Sequence, residues 1–326
     1  MNKGLLWYGL GAFAIALFFA PFIIAGLRRL RAGQEILKYV DWHKGKSGTP
    51  TMGGLVFILP IVVLSVVIID KATPLCMIAV LASLGYGVLG FLDDFLKIRH
   101  KENLGLRAYQ KIIGQGGIAV IVAVFYYMAN PDGRVFVPFF NTTWDIGFWI
   151  APFTFLVLVA TTNAVNLTDG IDGLAGSVSL CYFAVIGVLI AVLGGMSVVV
   201  EGGAFLQIIA VTVGGLMCWL LFNSNKAKVF MGDTGSLYLG GLVACVSVFT
   251  GLGLVILVLG AVFVWSAVSV ILQVIYFKIT HGKRIFLMSP FHHHLEKRGW
   301  GEARIVTLYC VITILVGMLL LGSILP

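Results

Sequence analysis

The sequence predicts an all-α, polytopic integral membrane protein with about ten transmembrane helices, and three observations predict it. First, 60% of the 326 residues are hydrophobic and only 11% charged, for a mean hydropathy of +1.03. A soluble domain carries about 25% charged residues. Second, apolar runs near the ~20 residues that cross a bilayer recur along the whole chain. Third, those runs are continuous rather than alternating, which argues against a transmembrane β-barrel. The net charge of +8 would point to nucleic acid in a soluble protein. Its placement here marks topology, and no nucleic-acid partner is expected.

Ten spans follow in order: residues 4–26, 51–69, 74–92, 112–129, 147–165, 174–194, 204–222, 236–250, 254–277 and 305–325. The first is longer than the ~7–15-residue core of a signal peptide, and its basic cluster "RRLR" follows it instead of preceding it. Lysines and arginines number six in 27–50, five in 93–111, none in 166–173, two in 223–235 and six in 278–304. Only Lys3, Lys71 and Arg134 fall on the other side. The positive-inside rule makes the rich face cytoplasmic and puts both termini outside. Ten of the fourteen acids share that face. Residues 1–326 then read as a single transmembrane domain whose cytoplasmic loops are those five segments. The five cysteines all lie in apolar segments without metal-ligand spacing and read as packing residues.

The cytoplasmic motifs carry the chemistry. In "WHKGKSGTPTMGG", residues 42–54, Gly45-Lys46-Ser47 is similar to the tail of a P-loop, but Val40 stands where the motif needs glycine. Lys46 and Thr51 remain phosphate or nucleotide contacts, and Gly53-Gly54 permits close helix packing. The third span ends in "GFLDDFLK". On a helix Asp93 and Lys97 share a face at i,i+4, with Asp94 about 100° away. That is either a solvated helix end with a local ion pair, or a magnesium or general-base carboxylate beside a phosphate-binding lysine.

"NLTDGIDG", residues 166–173, spaces Asn166, Asp169 and Asp172 three apart, so they share a face if the stretch is helical. Gly170 and Gly173 permit a tight turn and close backbone approach to a ligand. A polar turn does not need two acids so near hydrocarbon, where a mid-helix charge costs about 2.5–3.5 kcal/mol. In "FNSNKAKVFMGDTGSL", residues 222–237, Asn223 can read an amide or a phosphate, and Phe230 is a stacking platform for a base. Asp233 either caps the next helix or ligates Mg²⁺. In "SPFHHHLEKRGW", residues 289–300, the chain after Pro290 is expected to be irregular, so that His292, His293 and His294 fan out as donors. Consecutive histidines do not supply an i,i+4 zinc pair.

Carboxylates, lysines, amides, an aromatic ring and imidazoles on one membrane face suit phosphoryl transfer between a soluble polyanion and a lipid. Such chemistry is mostly positioning and charge neutralisation. A cation-coupled transporter would instead place its acids near mid-membrane on broken helices.

The stretches "KSGTPTMGG", "FLDDFLK", "NAVNLTDGIDGLAG", "FNSNKAKVFMGDTGSL" and "PFHHHLE", in order from about residue 46 to 298, resemble the phospho-N-acetylmuramoyl-pentapeptide transferase family. That family is a branch of the polyprenyl-phosphate N-acetylhexosamine 1-phosphate transferase superfamily. "TPTMGG" and "PFHHHLE" favour it over the UDP-N-acetylglucosamine branch. The resemblance implies a Mg²⁺-dependent homodimer in the bacterial cytoplasmic (inner) membrane with its active site on the cytoplasmic face. It implies transfer from UDP-MurNAc-pentapeptide to undecaprenyl phosphate, giving lipid I and UMP. By position it implies Asp93 and Asp94 as catalytic acids at the lipid-phosphate end, Asp233 as the metal ligand, and Lys97 and Lys111 as phosphate holders. Lys46, Thr51, Asn166, Asp169, Gly170, Asp172, Asn223 and Phe230 would form the nucleotide pocket. His292, His293 and His294 would line the pyrophosphate and sugar.

Overall fold

The computed structural model describes residues 3–30, 48–68, 74–100, 105–195, 199, 202–224 and 226–325. Their helices are α1 (Lys3–Arg29), α2 (Leu55–Ile68), α3 (Pro74–His100), α4 (Ala108–Ala129), α5 (Ile150–Thr168) and α6 (Leu174–Gly195). They continue as α7 (Gly202–Asn223), α8 (Gly232–Phe249), α9 (Val255–Leu259), α10 (Ala261–Ile279), α11 (Phe291–Lys297) and α12 (Glu302–Ile324). Among the described residues nine helices are long and apolar enough to cross a membrane, and the shorter apolar α2 stands where the second span was expected.

One expectation needs correction. The span expected at 254–277 is divided at Gly260, where the backbone leaves helical values (φ −87°, ψ 18°), so the long helix is α10. The loop after α4 forms an antiparallel hairpin of β1 (Arg134–Val137) and β2 (Thr142–Asp145), with Arg134 opposite Asp145. Val135, Phe136 and Val137 are buried, and the Phe136 N–H donates to the Gly251 carbonyl at 2.8 Å. Apolar side chains thus hold the hairpin onto the helix ends away from the acidic motifs.

Helix α8 is the axis of the bundle. Every residue from Thr234 to Phe249 is buried. Its sequence "TGSLYLGGLVACVSVF" explains this, because small residues on several faces let other backbones approach closely. A Cβ at Gly240 would come within 2.6 Å of the Thr162 Cα on α5. A Cβ at Gly90 of α3 would run into the Asp233 carbonyl of α8. Polar groups in the apolar interior pair across helices. Tyr182 and Ser247 hydroxyls lie 2.7 Å apart, and Asn163 Nδ2 donates to Gln115 Oε1 at 2.8 Å.

The motif-bearing ends of the helices gather at one end of the bundle. Ile24 and Leu27 near the end of α1 pack with Met52 and Val229, joined by Ile98 of α3. Backbone-to-backbone packing of α3 on α8 sets this end. Gly90→Ala is therefore expected to lower stability by about 1–3 kcal/mol, the range for overpacking, read as a lower unfolding midpoint in detergent. At Gly26 an added methyl meets nothing within 4 Å, so Gly26→Ala should not lower it. Equal midpoints for the two variants would contradict the α3–α8 contact.

Candidate active site

Asp93 and Asp94 end up beside Asp233 because α3 and α8 touch at Gly90, one turn before the acids. Each carboxylate is held through one oxygen. Asp93 Oδ1 accepts from the Leu106 N–H at 2.7 Å. Asp94 Oδ2 accepts from the Thr234 N–H at 3.0 Å and its hydroxyl at 2.8 Å. Asp233 Oδ1 accepts from Asn166 Nδ2 at 2.6 Å, and the same amide donates to Ser236 Oγ at 2.8 Å. The other three oxygens face one ammonium. Lys97 Nζ lies 2.6 Å from Asp93 Oδ2, 2.8 Å from Asp233 Oδ2 and 3.9 Å from Asp94 Oδ1. Lys111 Nζ, from the first turn of α4, reaches Asp233 Oδ2 at 2.9 Å.

So the i,i+4 pairing of Asp93 with Lys97 is present, and it extends across helices. The capping reading for Asp233 is not realised, since the N-cap residue of α8 is Met231. One oxygen from each of Asp93, Asp94 and Asp233 lies within 4.8 Å of the others. Three carboxylates against two lysines leave the cluster formally negative by one. A hard oxygen-only donor set with residual negative charge suits a divalent metal such as Mg²⁺.

The loops around the cluster are braced by backbone. The Gly53 N–H donates to the Phe230 carbonyl at 2.7 Å, and the Phe230 N–H to the Pro50 carbonyl at 2.8 Å. Gly232, at φ +70°, has its missing side chain between Thr51 Oγ1 and Asp94 Oδ2, each 2.5 Å from a Cβ placed there. Thr51 therefore borders the acids, while half-buried Phe230 sits just before them. Buried Asn223 accepts from the Gly173 N–H at 2.8 Å and donates to the Val229 carbonyl at 2.7 Å. It ties "NLTDGIDG" to the loop before α8. Asp172 does likewise, accepting from the Ala227 N–H at 2.9 Å. Lys46 lies outside the described residues.

Asn166, Asp169 and Asp172 do not share one helical face, because α5 ends at Thr168 and Asp169 is its cap at φ −78°, ψ 52°. The histidine run is helical as α11, not irregular. Proline is tolerated at a helix start, where its missing N–H is not needed, and Pro290 is the N-cap. His292 and His293 still reach the second acidic motif. A Cβ on Gly170 would collide with the His292 ring and come within 3.1 Å of His293 Nε2. His293 Nδ1 pairs with Glu296 Oε2 at 2.5 Å. His294 faces elsewhere. Its Nδ1 accepts from the Leu287 N–H at 3.0 Å, and its ring stacks on Phe291 with centroids 5.4 Å apart. Burial, then the charge of Arg298, holds its pKa below the usual imidazole value, which favours that acceptor role.

Leu106, Thr234, Ser236, Glu296 and the close-approach Gly90 were not singled out from sequence. Thr234 adjoins Asp233 in "GDTGS" and Glu296 lies one helical turn after His293, so both carried a spacing signal. The Leu106 N–H carried none.

Asp169 has its pKa pushed well above the usual carboxylate range, first by burial and then by negative Asp233, Asp94 and Asp172. The folded state holds this proton more firmly than the unfolded state, so stability falls as pH rises from about 4 through the raised value. Asp169→Asn removes that loss. Its unfolding midpoint should gain on the parent's as pH is raised from about 4 to about 8. A pH-independent difference would mean that Asp169 titrates normally.

Comparison with known proteins covers this whole site. Glycosyl transferase family 4 matches residues 76–251, and the phospho-N-acetylmuramoyl-pentapeptide-transferase signature 1 matches residues 46–58. The chain is 43% identical over 315 residues to the phospho-N-acetylmuramoyl-pentapeptide-transferase of Clostridium kluyveri, covering 95% of this chain and 96% of that one. It is 41% identical over 323 residues to that of Bacillus subtilis (strain 168), covering 98% and 97%. It is 40% identical over 329 residues to that of Oceanobacillus iheyensis, covering 97% and 96%. With acids, lysines and loops arranged as above, the chain belongs to glycosyl transferase family 4 and, within it, to the phospho-N-acetylmuramoyl-pentapeptide-transferase family.

Proposed function

We propose that the protein transfers phospho-MurNAc-pentapeptide from UDP-MurNAc-pentapeptide to undecaprenyl phosphate, giving lipid I and UMP. The observation that carries this reading is the convergence of three carboxylate oxygens on Lys97, with Lys111 adjoining, at one end of a membrane bundle. The relatives' name supports the same donor. Arg28 and Arg29 in the last turn of α1, and Lys97, Arg99 and His100 in the last turn of α3, crowd the acidic end. The positive-inside rule then favours the cytoplasmic face of a bacterial inner membrane.

In this reading a phosphate oxygen of undecaprenyl phosphate attacks the β-phosphorus of the donor and the bond to UMP breaks. Asp93, anchored through Oδ1, presents Oδ2 to orient the attacking phosphate or take its proton. Lys97 and Lys111 offset charge as two polyanions approach, and a dianionic phosphate then needs little further activation. Asp233, with Asp93 and Asp94 alongside, would hold Mg²⁺, which when bound supplies further neutralisation of the pyrophosphate. Asn166 holds Asp233 in place. Thr51, Asp169, Gly170, Asp172 and Phe230 border the nucleotide, and His292 and His293 line the sugar side.

Purified protein in detergent, given undecaprenyl phosphate and Mg²⁺, should release UMP from UDP-MurNAc-pentapeptide and not from UDP-N-acetylglucosamine. Release from the second donor alone would move the assignment to the sister branch. No release from either would reject the transferase reading. Asp233→Asn and Asp93→Asn should each lower kcat at least ~100-fold, the scale of lost charge stabilisation or proton transfer. Direct displacement also predicts no phosphorylated aspartate when the UDP donor is supplied without lipid. Trapping one, with UMP already released, would establish a two-step route instead.

A further inference from the structure

A half-open cavity of about 390 Å³ lies at the end of α10, away from the acid cluster. Val274, Phe277 and Met288 give it an apolar wall, while Lys278, Arg284 and Lys297 give it three cations and no carboxylate is among its lining residues. The loop over it is fastened. The Phe286 N–H donates to Gln273 Oε1 at 2.9 Å, the Leu287 N–H to His294 Nδ1 at 3.0 Å, and the Phe291 N–H to Ser269 Oγ at 3.1 Å. Arg284 Nη1 reaches the Leu287 carbonyl at 3.5 Å. These bonds fix the backbone that lines the cavity, which lowers the ordering cost of binding a ligand there.

Helix α11 connects this cavity to the acidic motifs. His293 and Lys297 are one turn apart on the same face, a rise of about 6 Å along the axis. His293 borders Gly170, and Lys297 borders the cavity. An extended pentapeptide spans about 17 Å, enough to run from a sugar beside His293 into the cavity. A pentapeptide linked to a sugar through its first residue ends in a free carboxylate, which needs cations.

We infer that this cavity receives the distal end of the donor's pentapeptide and that Lys278 and Arg284 bind its terminal carboxylate. This rests on the transferase reading above and makes the cavity the part of the site that recognises the peptide. His294 then acts as a positioning residue, pinning the loop that carries Arg284.

The test pairs the protein with a chemically altered donor. KM is measured by UMP release for UDP-MurNAc-pentapeptide and for the same donor with its terminal carboxylate converted to a carboxamide. Lys278→Gln, Arg284→Gln and the double variant are compared with the unaltered protein. Each single variant should raise KM for the acid donor about tenfold at unchanged kcat, as for loss of one charge-assisted contact. Unchanged kcat also reports intact folding. Amidation should raise KM for the unaltered protein similarly and have no further effect on the double variant. Multiplying effects of amidation and double substitution, or an unchanged KM in the variants, would overturn the assignment. So would a change confined to KM for undecaprenyl phosphate or to the response to phosphatidylglycerol vesicles, which would give these cations to lipid head groups. Absence of UMP release by the unaltered protein counts against the transferase reading itself.

Discussion

Three carboxylates on two touching helices repel one another, and the ammonium of Lys97 is the group that lets Asp93, Asp94 and Asp233 converge. Two like charges about 4 Å apart cost about 4 kcal/mol at an effective dielectric of 20. A cation facing all three acids offsets much of that repulsion, and Lys111 adds to the effect at Asp233. The remaining architecture serves this contact. Gly90 lets α3 reach α8, Thr234 and Leu106 orient the α3 acids, and Asn166 brings α5 to Asp233. The three acids are therefore oriented by the protein's own groups.

The position of the site at the helix ends follows from the membrane's own energetics. Charged groups cost most at mid-helix and less towards the interface. The chain ends α5 at Thr168 and starts α6 at Leu174, so the acids of "NLTDGIDG" fall in the gap between the two helices. Asn223 and Asp172 then connect that gap to the loop before α8 by bonding to main-chain groups. Those bonds hold the two loops against each other beside the acids.

Much of this was legible in the chain because it is local. Span length depends on consecutive apolar residues, and the Asp93–Lys97 pair depends only on helical spacing. The family motifs likewise identify which loops matter. What was not legible depends on partners far away in sequence. The Leu106 N–H is an ordinary backbone donor until α3 brings Asp93 to it. The run "HHHLE" looks irregular after a proline, yet Pro290 stands at the start of α11, the one helical position where proline costs little. His294 reads like its neighbours in sequence and is set apart from them by the Leu287 N–H and by its packing on Phe291. The break at Gly260 and the hairpin at 134–145 were hidden for the same reason, since each depends on what the segment packs against.

The complete burial of α8 has a consequence for how such a protein is made. Among the described residues, α8 is the least apolar of the nine membrane-crossing helices and presents almost no surface to lipid. The helices that most closely enclose it, α3 and α5, precede it in the chain. Synthesis in chain order therefore delivers the walls before the piece that fills them. A helix carrying Asp233 into a bilayer can meet Lys97, Lys111 and Asn166 on arrival, so the partners of its charge are already in the membrane when it inserts. The order of segments in the gene is, in this sense, an assembly instruction.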